Sequence, residues 1–293
     1  MTSQELSLVH ATNVASWKDI KNLRASVGRK AAAAAAAIVV LLLAAPAGAV
    51  IDGTSDTNNL YSNVGVLQLQ EGEEWFDFCS GTLVREDVVL TAAHCTDFLV
   101  DEGPDGFGPN DLRISFDPEG DGPYYTVASI VVHPDWFTAP ACIGNSKHRC
   151  LAPPAEDIAL VFLDDPVVGV TPAPIAGEGY LDELDLKSET FTVVGYGIDA
   201  FITGSAASAK AITLFDGIRS HREVTAITAH DAFPDRFLKI TAGVCFGDSG
   251  GPLFHDGTIV AINTWTFSQR CAGPNLEYRL DSETAQEFLE ANL

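Results

Sequence analysis

Cys245-Phe-Gly-Asp-Ser-Gly-Gly-Pro252 is the stretch on which the interpretation of this 293-residue chain depends. A serine hydroxyl is a weak nucleophile that needs a neighbouring base, and its attack on a carbonyl creates an oxyanion that needs hydrogen-bond donors. The glycines around Ser249 let successive N–H groups point to one spot, and Gly247 has no side chain to block that approach. A glycine-rich turn that merely contains a serine is the alternative. The full pattern behind a cysteine favours a nucleophile at Ser249.

Two other segments supply the partners that such a serine needs. Thr91-Ala-Ala-His-Cys95 follows an apolar run, and its small alanines let the His94 imidazole lie close to the core. Asp157 stands at the start of the apolar run 158–163, where a carboxylate must find a partner or lose its hydration at high cost. Taken alone, Asp157 is more often a strand-end cap. In the order His94, Asp157, Ser249, the three residues predict a catalytic triad.

The chain after Val50 is a series of short runs rich in β-branched residues and separated by Gly, Pro and Asp, which predicts an all-β barrel or sandwich. The longer predicted strands are 64–70, 112–116, 127–132, 158–163, 191–194, 224–227, 237–240 and 257–262. A helix is predicted only at the C-terminus, capped by Asp281 or Ser282, because Ala285, Phe288 and Leu289 fall at helical spacing.

With these residues in place, the chain resembles the chymotrypsin–trypsin family of serine peptidases over essentially all of residues 50–293. The resemblance extends to four more segments, Cys79-Ser-Gly-Thr-Leu83, Val132-His-Pro134, Gly195-Tyr-Gly197 and Thr264-Trp-Thr266 with Cys271 beyond it. It implies two packed, six-stranded, antiparallel Greek-key barrels with a C-terminal α-helix. Residues 50–165 would carry His94 and Asp157, and residues 166–293 would carry Ser249 and the substrate pocket.

The resemblance also implies the roles of the site residues. Ser249 would attack the scissile carbonyl, His94 would take its proton, and Asp157 would orient His94. The N–H groups of Gly247 and Ser249 would form the oxyanion hole. Because His94 must be neutral to act as a base, activity is expected to rise with pH over about 6 to 7.

The six cysteines fit the same family. An even count in an exported chain indicates disulfides rather than a metal site. The resemblance implies the pairs Cys79–Cys95 and Cys245–Cys271. Cys142 and Cys150 then remain, close enough in sequence to close a short loop of their own.

Residues 1–49 have the features of an export signal. Five basic residues precede the apolar run 31–45, which ends at Ala47-Gly48-Ala49, a small-residue cleavage site. The run is short for a membrane span, although an uncleaved anchor is the alternative. The expectation is a secreted protein, extracellular or periplasmic, with no stable membrane association after cleavage.

Cleavage after Ala49 would expose Val50-Ile-Asp-Gly-Thr54, which resembles the Ile-Val-Gly-Gly start of activated family members. In that family the new amine pairs with the Asp before the nucleophile, so the resemblance implies a Val50–Asp248 pair. Two residues depart from the family pattern, Val50 for Ile and Asp52 for Gly. Signal cleavage alone would then activate the enzyme.

The pocket residues implied by the resemblance do not favour cleavage after Lys or Arg, because Gly243 stands where trypsin-like members carry Asp. Thr266 and either Asn275 or Leu276 would narrow the pocket, and Phe246, Thr264 and Trp265 would line it. Before the scissile bond, at P1, the expected residue is small or medium and apolar.

Charge excludes one class of partner. The formal net charge is −23, with 40 acidic and 17 basic residues, and nucleic-acid binding needs a basic face. The expected partners are protein or peptide substrates, and the expected state is a monomer. No metal or other cofactor is expected. The acidic loop 101–122 offers oxygen ligands for Ca²⁺, but a solvated loop without bound Ca²⁺ is the favoured interpretation.

Two other classes of protein share part of this pattern. A non-catalytic binding protein on the same fold usually loses a triad residue or the oxyanion glycine, and this chain keeps all four. An esterase or lipase places its residues in the order Ser, Asp, His, which is not the order here.

Overall fold

Six strands from the first half of the chain close into an antiparallel barrel in the computed structural model, which describes residues 50–100, 106–136, 156–198, 200–202, 212–214, 217–229, 235–267, 271 and 273–293. In chain order the strands are β2 (Val64–Glu71), β3 (Glu74–Arg85), β4 (Val88–Thr91), β5 (Leu112–Ser115), β6 (Tyr124–Val132) and β7 (Ala159–Leu163). Around the barrel they run β2-β3-β4-β7-β6-β5. A short helix, α1 (Ala93–Thr96), follows β4, and 3₁₀ turns occupy Asp97–Leu99 and Pro109–Asp111.

A second set of six strands closes in the same way. These are β8 (Thr190–Gly195), β11 (Ser220–Ala229), β12 (Phe237–Ile240), β13 (Pro252–His255), β14 (Thr258–Thr266) and β15 (Asn275–Arg279). Strand β8 pairs with both β11 and β13, which closes the ring β8-β11-β12-β15-β14-β13. The remaining elements are β1 (Thr54–Ser55), which pairs with β11, the hairpin β9 (Ala200–Ile202) and β10 (Ile212–Leu214), and a 3₁₀ turn at Tyr180–Glu183.

The prediction of two six-stranded antiparallel barrels is therefore confirmed. The proposed boundary between residues 165 and 166 lies between β7 and β8 and stays a prediction.

Buried apolar side chains fill both barrels. One cluster runs from the first barrel, with residues such as Leu90 and Leu160, to Tyr278 and Leu280 at the end of the second. A separate cluster around Phe191 and Val260 fills the second barrel and includes Val50. Because one cluster spans both barrels, the faces that meet are packed as core.

The C-terminal helix α2 (Glu283–Asn292) begins at Ser282, whose Oγ accepts a hydrogen bond of 3.3 Å from the Ala285 N–H. Phe288 and Leu289 are buried in the cluster that fills the first barrel, and the Phe288 ring lies 5.1 Å from that of His133. The helix predicted at the C-terminus is thus confirmed, with Ser282 as its cap.

Some elements escaped prediction. Strand β15 contains Asn275 and Glu277, types that are depleted in strands, yet every residue of this strand is buried. Several predicted features lie outside the described residues, namely the signal segment 1–49, Cys142 and Cys150, and the first part of the acidic loop, 101–105. Among the described residues, no helix is long and apolar enough to cross a membrane.

Candidate active site

His94 and Asp157 form two hydrogen bonds with each other. The His94 ring nitrogen Nδ1 lies 2.7 Å from Asp157 Oδ2, and the His94 backbone N–H donates to Asp157 Oδ1 at 2.9 Å. Helix α1 presents His94 from the end of β4, and Asp157 enters just before β7, the strand paired with β4. The Asp157 side chain is fully buried, whereas that of His94 is 31% exposed. One carboxylate thus fixes both the ring and the backbone of His94 and leaves Nε2 for chemistry.

The charge of Asp157 also sets the basicity of His94. Burial lowers the pKa of His94, but the charge and hydrogen bond of Asp157, with a smaller contribution from Asp97, outweigh this and raise it above its ordinary value. Asp97 is itself held by Trp136, whose indole Nε1 donates to it at 2.9 Å, and the Trp136 ring lies 6.4 Å from that of His94. The imidazolium that forms when His94 accepts a proton is therefore favoured.

Ser249 lies against the segment that carries His94. Its carbonyl oxygen accepts a hydrogen bond of 2.8 Å from the Ser80 N–H and lies 3.7 Å from Cys95 Sγ. The contact depends on Gly250, because a Cβ there would lie 2.5 Å from the Ser80 carbonyl oxygen and 2.8 Å from the Ala92 nitrogen. Among the described residues, the Ser249 hydroxyl has no hydrogen-bond partner, so its bond to His94 stays a prediction. Such bonds often tighten only when substrate binds.

The loop around Ser249 leaves two backbone donors free. The N–H groups of Asp248, Gly250 and Gly251 donate within the protein, at 2.8–3.1 Å. Those of Gly247 and Ser249 donate to no residue that the structure describes. Gly247 has a φ of +95°, a backbone conformation that residues with a Cβ rarely adopt. Two free donors on either side of Asp248 are what an oxyanion hole requires.

The Asp248 carboxylate is held by backbone N–H groups. It is fully buried, and its two carboxylate oxygens accept hydrogen bonds from the Gly197 N–H at 2.9 Å and the Cys245 N–H at 2.8 Å. Burial raises the pKa of Asp248 well above its usual range, while the two N–H donors oppose the rise. No cationic side chain among the described residues pairs with this carboxylate.

Val50 is seated in the same barrel. Its side chain is fully buried in the cluster around Phe191, and the next residue, Ile51, donates its N–H to the Gly243 carbonyl at 3.1 Å. The segment that follows Ala49 is therefore anchored beside the loop that leads to Asp248. The pairing of the Val50 amine with Asp248 stays a prediction.

Asp52, the residue that departs from the glycine of the family pattern, has a structural explanation. Its φ is +54°, a conformation that favours glycine but that Asp tolerates better than most residues. Its side chain is 84% exposed and lies 3.7 Å from the Arg222 guanidinium, which also donates to the Ile51 carbonyl at 2.7 Å. Asp52 therefore lies at the surface, beside the Arg222 side chain that binds the N-terminal segment.

One amide side chain, that of Asn275, lies against the segment predicted to form the base of the substrate pocket. Thr266 pairs across the sheet with Asn275, and Trp265 pairs with Leu276, so the choice between Asn275 and Leu276 as a pocket residue stays a prediction that the register of Thr266 favours for Asn275. Asn275 Oδ1 accepts from the N–H groups of Gly243 and Val244 at 3.2 and 3.3 Å, and its Nδ2 donates to the Val244 carbonyl at 3.1 Å. The side chain thus bridges β15 to the segment at the predicted pocket base.

The other predicted pocket residues differ in exposure. The Phe246 side chain is 51% exposed, and Trp265 is half-buried. Thr264 is buried, and its hydroxyl donates to the Ile262 carbonyl at 3.2 Å, so it is not free to contact a ligand through that hydrogen.

Two polar residues next to this region were not predicted from the sequence. Glu277 and Asn263 are cross-strand partners, both fully buried. Both carboxylate oxygens of Glu277 and Asn263 Oδ1 form no hydrogen bond of ordinary geometry among the described residues. Burial raises the pKa of Glu277 well above its usual range, and the charge of Asp248 adds to the rise, while the Thr264 backbone opposes it. In its neutral form Glu277 can donate to a neighbouring acceptor.

Two disulfides brace the site. Cys79 is joined to Cys95, the residue after His94, and Cys245 to Cys271. These are the pairs that the resemblance implies. In the described part of the chain, the single group of His, Cys, Asp or Glu ligand atoms close enough for a metal is Cys79, His94 and Cys95, whose two sulfurs already form the first disulfide.

Known proteins match both this sequence and this fold. The family model described as Trypsin matches residues 50–280. A trypsin of Phaedon cochleariae is 28% identical over 208 residues, 67% of this chain and 71% of that protein. Chymotrypsin-like elastase family member 1 of Bos taurus is 36% identical over 91 residues, and this match spans 30% of the chain and 31% of that relative.

Among solved structures, neuropsin, a serine protease expressed in the limbic system of mouse brain, aligns with a TM-score of 0.57 and 20% identity over 83% of this chain and all of that one. This likeness supports the chymotrypsin-like fold. Since the family model covers most of the chain and begins at Val50, the chain belongs to the trypsin family of serine peptidases.

Proposed function

We propose that this protein is an exported serine endopeptidase whose catalytic residues are His94, Asp157 and Ser249. The observation that carries the proposal is the double hydrogen bond between His94 and Asp157, with the Ser249 backbone packed against the same segment. His94 accepts the Ser249 proton as Oγ attacks the scissile carbonyl, and Asp157 stabilises the imidazolium. An acyl-enzyme forms, and water then hydrolyses it.

The N–H groups of Gly247 and Ser249 hold the oxyanion in this mechanism. Their lack of partners among the described residues supports the assignment, because a donor already engaged would have to break a bond first. The loss of one such donor costs about 10²–10³ in rate.

Activation is proposed to follow removal of residues 1–49. The new α-amine of Val50 would supply the cation that the buried carboxylate of Asp248 lacks among the described residues. Burial of Val50 and the start of the family match at this residue support the assignment. The disulfides are typical of exported proteins.

Substrates are proposed to be proteins or peptides with a small or medium apolar residue at P1. The Asn275 amide, which bridges to Gly243 and Val244, supports a shallow pocket that favours Ala, Val or Leu. No cofactor is proposed, and the protein is expected to act as a monomer.

The test is cleavage of a diverse peptide mixture, read by mass spectrometry, with protein that begins at Val50. Cuts after small apolar residues are expected, and they should vanish in Ser249→Ala. A matched protein that keeps Ala49 before Val50 should cut far more slowly, because its amine lies one residue too far out. No cutting by folded protein that starts at Val50 would favour a binding protein on the same fold. Equal rates with and without Ala49 would refute the activation step alone.

A further inference from the structure

Glu156, the residue immediately before Asp157, has a backbone conformation that needs support. Its φ is +47°, in the left-handed region that non-glycine residues rarely occupy, and its side chain is buried. The Ile158 N–H donates to the Glu156 carbonyl at 2.9 Å, so Asp157 lies at the centre of a tight three-residue turn. A conformation of this kind persists only where surrounding contacts hold it.

Those contacts come from the second barrel. The Tyr278 hydroxyl donates to Glu156 Oε2, and the Arg236 guanidinium lies 2.8 Å from Glu156 Oε1. Tyr278 is on β15, and Arg236 directly precedes its neighbour β12; the Arg279 N–H donates to the Arg236 carbonyl at 2.8 Å. Two adjacent strand segments of the second barrel therefore bind Glu156, the residue that precedes Asp157 of the first barrel.

The chemistry of the Glu156 contacts with Tyr278 and Arg236 favours a stable interaction. A buried carboxylate is costly unless charged or hydroxyl donors satisfy it, and hydrogen bonds to a charged acceptor are among the stronger ones in proteins. Burial and the charge of Glu156 raise the pKa of Tyr278 well above its usual range, which keeps its hydroxyl protonated as a donor. The Tyr278 hydroxyl is thus kept in the form that donates the bond.

We propose that Glu156 is a positioning residue, which fixes the backbone of Asp157 to the barrel that carries Ser249. This inference depends on the proposed function. His94 and Asp157 belong to the first barrel, so the Ser249–His94 geometry depends on how the two barrels are held together. Small misplacements of reacting groups lower the reaction rate strongly. A contact between the barrels at Glu156, next to Asp157, limits such a misplacement directly.

The test compares Tyr278→Phe, which removes one hydroxyl, with Tyr180→Phe, which removes a hydroxyl that lies 2.9 Å from His255 instead. For Tyr278→Phe, kcat should fall about tenfold or more, with KM changed less than about twofold. The kinetic pKa of His94 should also fall, because Asp157 then holds the imidazolium less well. Asp157 and Asp97 are the charged groups that raise the pKa of His94, and both remain. Tyr180→Phe should change neither quantity.

A second pair of variants keeps the inference testable if Tyr278→Phe is unstable. Glu156→Gln retains an acceptor for the Tyr278 hydroxyl and should retain more activity than Glu156→Ala. The inference is overturned if Tyr278→Phe and Glu156→Ala lower Tm yet leave kcat and the kinetic pKa at wild-type values, since the contact would then be merely structural. If the wild type cleaves nothing, the proposed function falls and this inference with it.

Discussion

At the scale of single residues, the proposed function assigns the role of base to His94, and the charges around His94 set the pH range expected for activity. Because Asp157 and Asp97 stabilise the imidazolium, the neutral base appears only at a pH above the ordinary pKa of about 6.5. The ratio kcat/KM should therefore rise with pH through an inflection above that value. A pH–rate profile from about pH 5 to 9 measures it.

The control for this profile is a change of charge elsewhere. Asp97→Asn should move the inflection to lower pH, whereas Asp185→Asn, at an exposed position of the segment before β8, should leave it in place. A flat profile would contradict the role of His94 as the base, and an inflection below about 6.5 would contradict the raised pKa of His94.

Glu277 provides a second prediction at this scale, on stability. Its folded-state pKa is raised, so the native protein binds the proton more tightly than the unfolded chain does. Stability therefore falls as pH rises from the unfolded-state pKa of about 4.3 towards the folded-state pKa. Glu277→Gln removes this loss and should raise the free energy of unfolding at pH 8 by about 1–3 kcal/mol, with little change at pH 4.

Denaturant unfolding of the wild type and the variant at both pH values measures the effect, with Glu290→Gln on the exposed face of α2 as the matched control. An equal difference between wild type and Glu277→Gln at the two pH values would argue against a buried, protonated carboxyl.

At the scale of elements, the proposed substrate pocket depends on strand β15. Removal of the Asn275 side chain breaks the bridge to Gly243 and Val244 and deepens the slot beside Thr266. Asn275→Gly should raise kcat/KM for a P1 Phe substrate, relative to P1 Ala, by about tenfold or more. Asn58→Gly, at an exposed turn, should not change the ratio. An unchanged ratio in folded Asn275→Gly protein would place the pocket wall elsewhere.

The same strand marks the limit of prediction from sequence. His94, Asp157 and Ser249 could be predicted as site residues because each lies in a local motif whose residue types are typical of that chemistry. The strands of the two barrels could be predicted where β-branched runs alternate with turn residues. In β15, by contrast, Asn275 and Glu277 have types that disfavour strands, and their burial follows only from register with Thr266 and Asn263.

Glu156 was missed for a related reason. Next to Asp157 in the sequence, it looks like one more acidic residue of a loop. Its contacts with Tyr278 and Arg236 join positions more than 75 residues apart, and no local pattern announces them. Asp52 is the opposite case. Its departure from the family pattern was evident in the sequence, but the reason that Asp is tolerated there, a φ of +54°, is visible only in the structure.

Arg219 links the parts of the molecule as a whole. It is fully buried, and its guanidinium donates to Asp56 Oδ2 at 2.8 Å, to Val64 and Phe116 carbonyls of the first barrel at 3.0 and 2.9 Å, and to the Tyr196 hydroxyl at 3.1 Å. Asp56 lies in the N-terminal segment just after β1, and it also accepts from the N–H groups of Leu60 and Tyr61. One cation therefore ties the N-terminal segment to both barrels.

Asp56→Ala should lower the free energy of unfolding by about 3–5 kcal/mol, because it leaves the Arg219 charge buried without its partner. The comparison is Asp182→Ala, whose carboxylate pairs with Arg279 at 2.7 Å but is 72% exposed; it should cost less than about 1 kcal/mol. Chemical denaturation measures both. Equal losses would mean that the buried pair contributes no more than a surface one.

The most direct test of the central claim is covalent labelling of Ser249 by a fluorophosphonate, followed by intact mass and peptide mapping. Protein that begins at Val50 should gain one label, located at Ser249, and Ser249→Ala should gain none. His94→Ala should react more slowly by about 10²-fold or more, because the hydroxyl loses its base. A folded protein that starts at Val50 and gains no label, or a label on any other residue, would contradict the account.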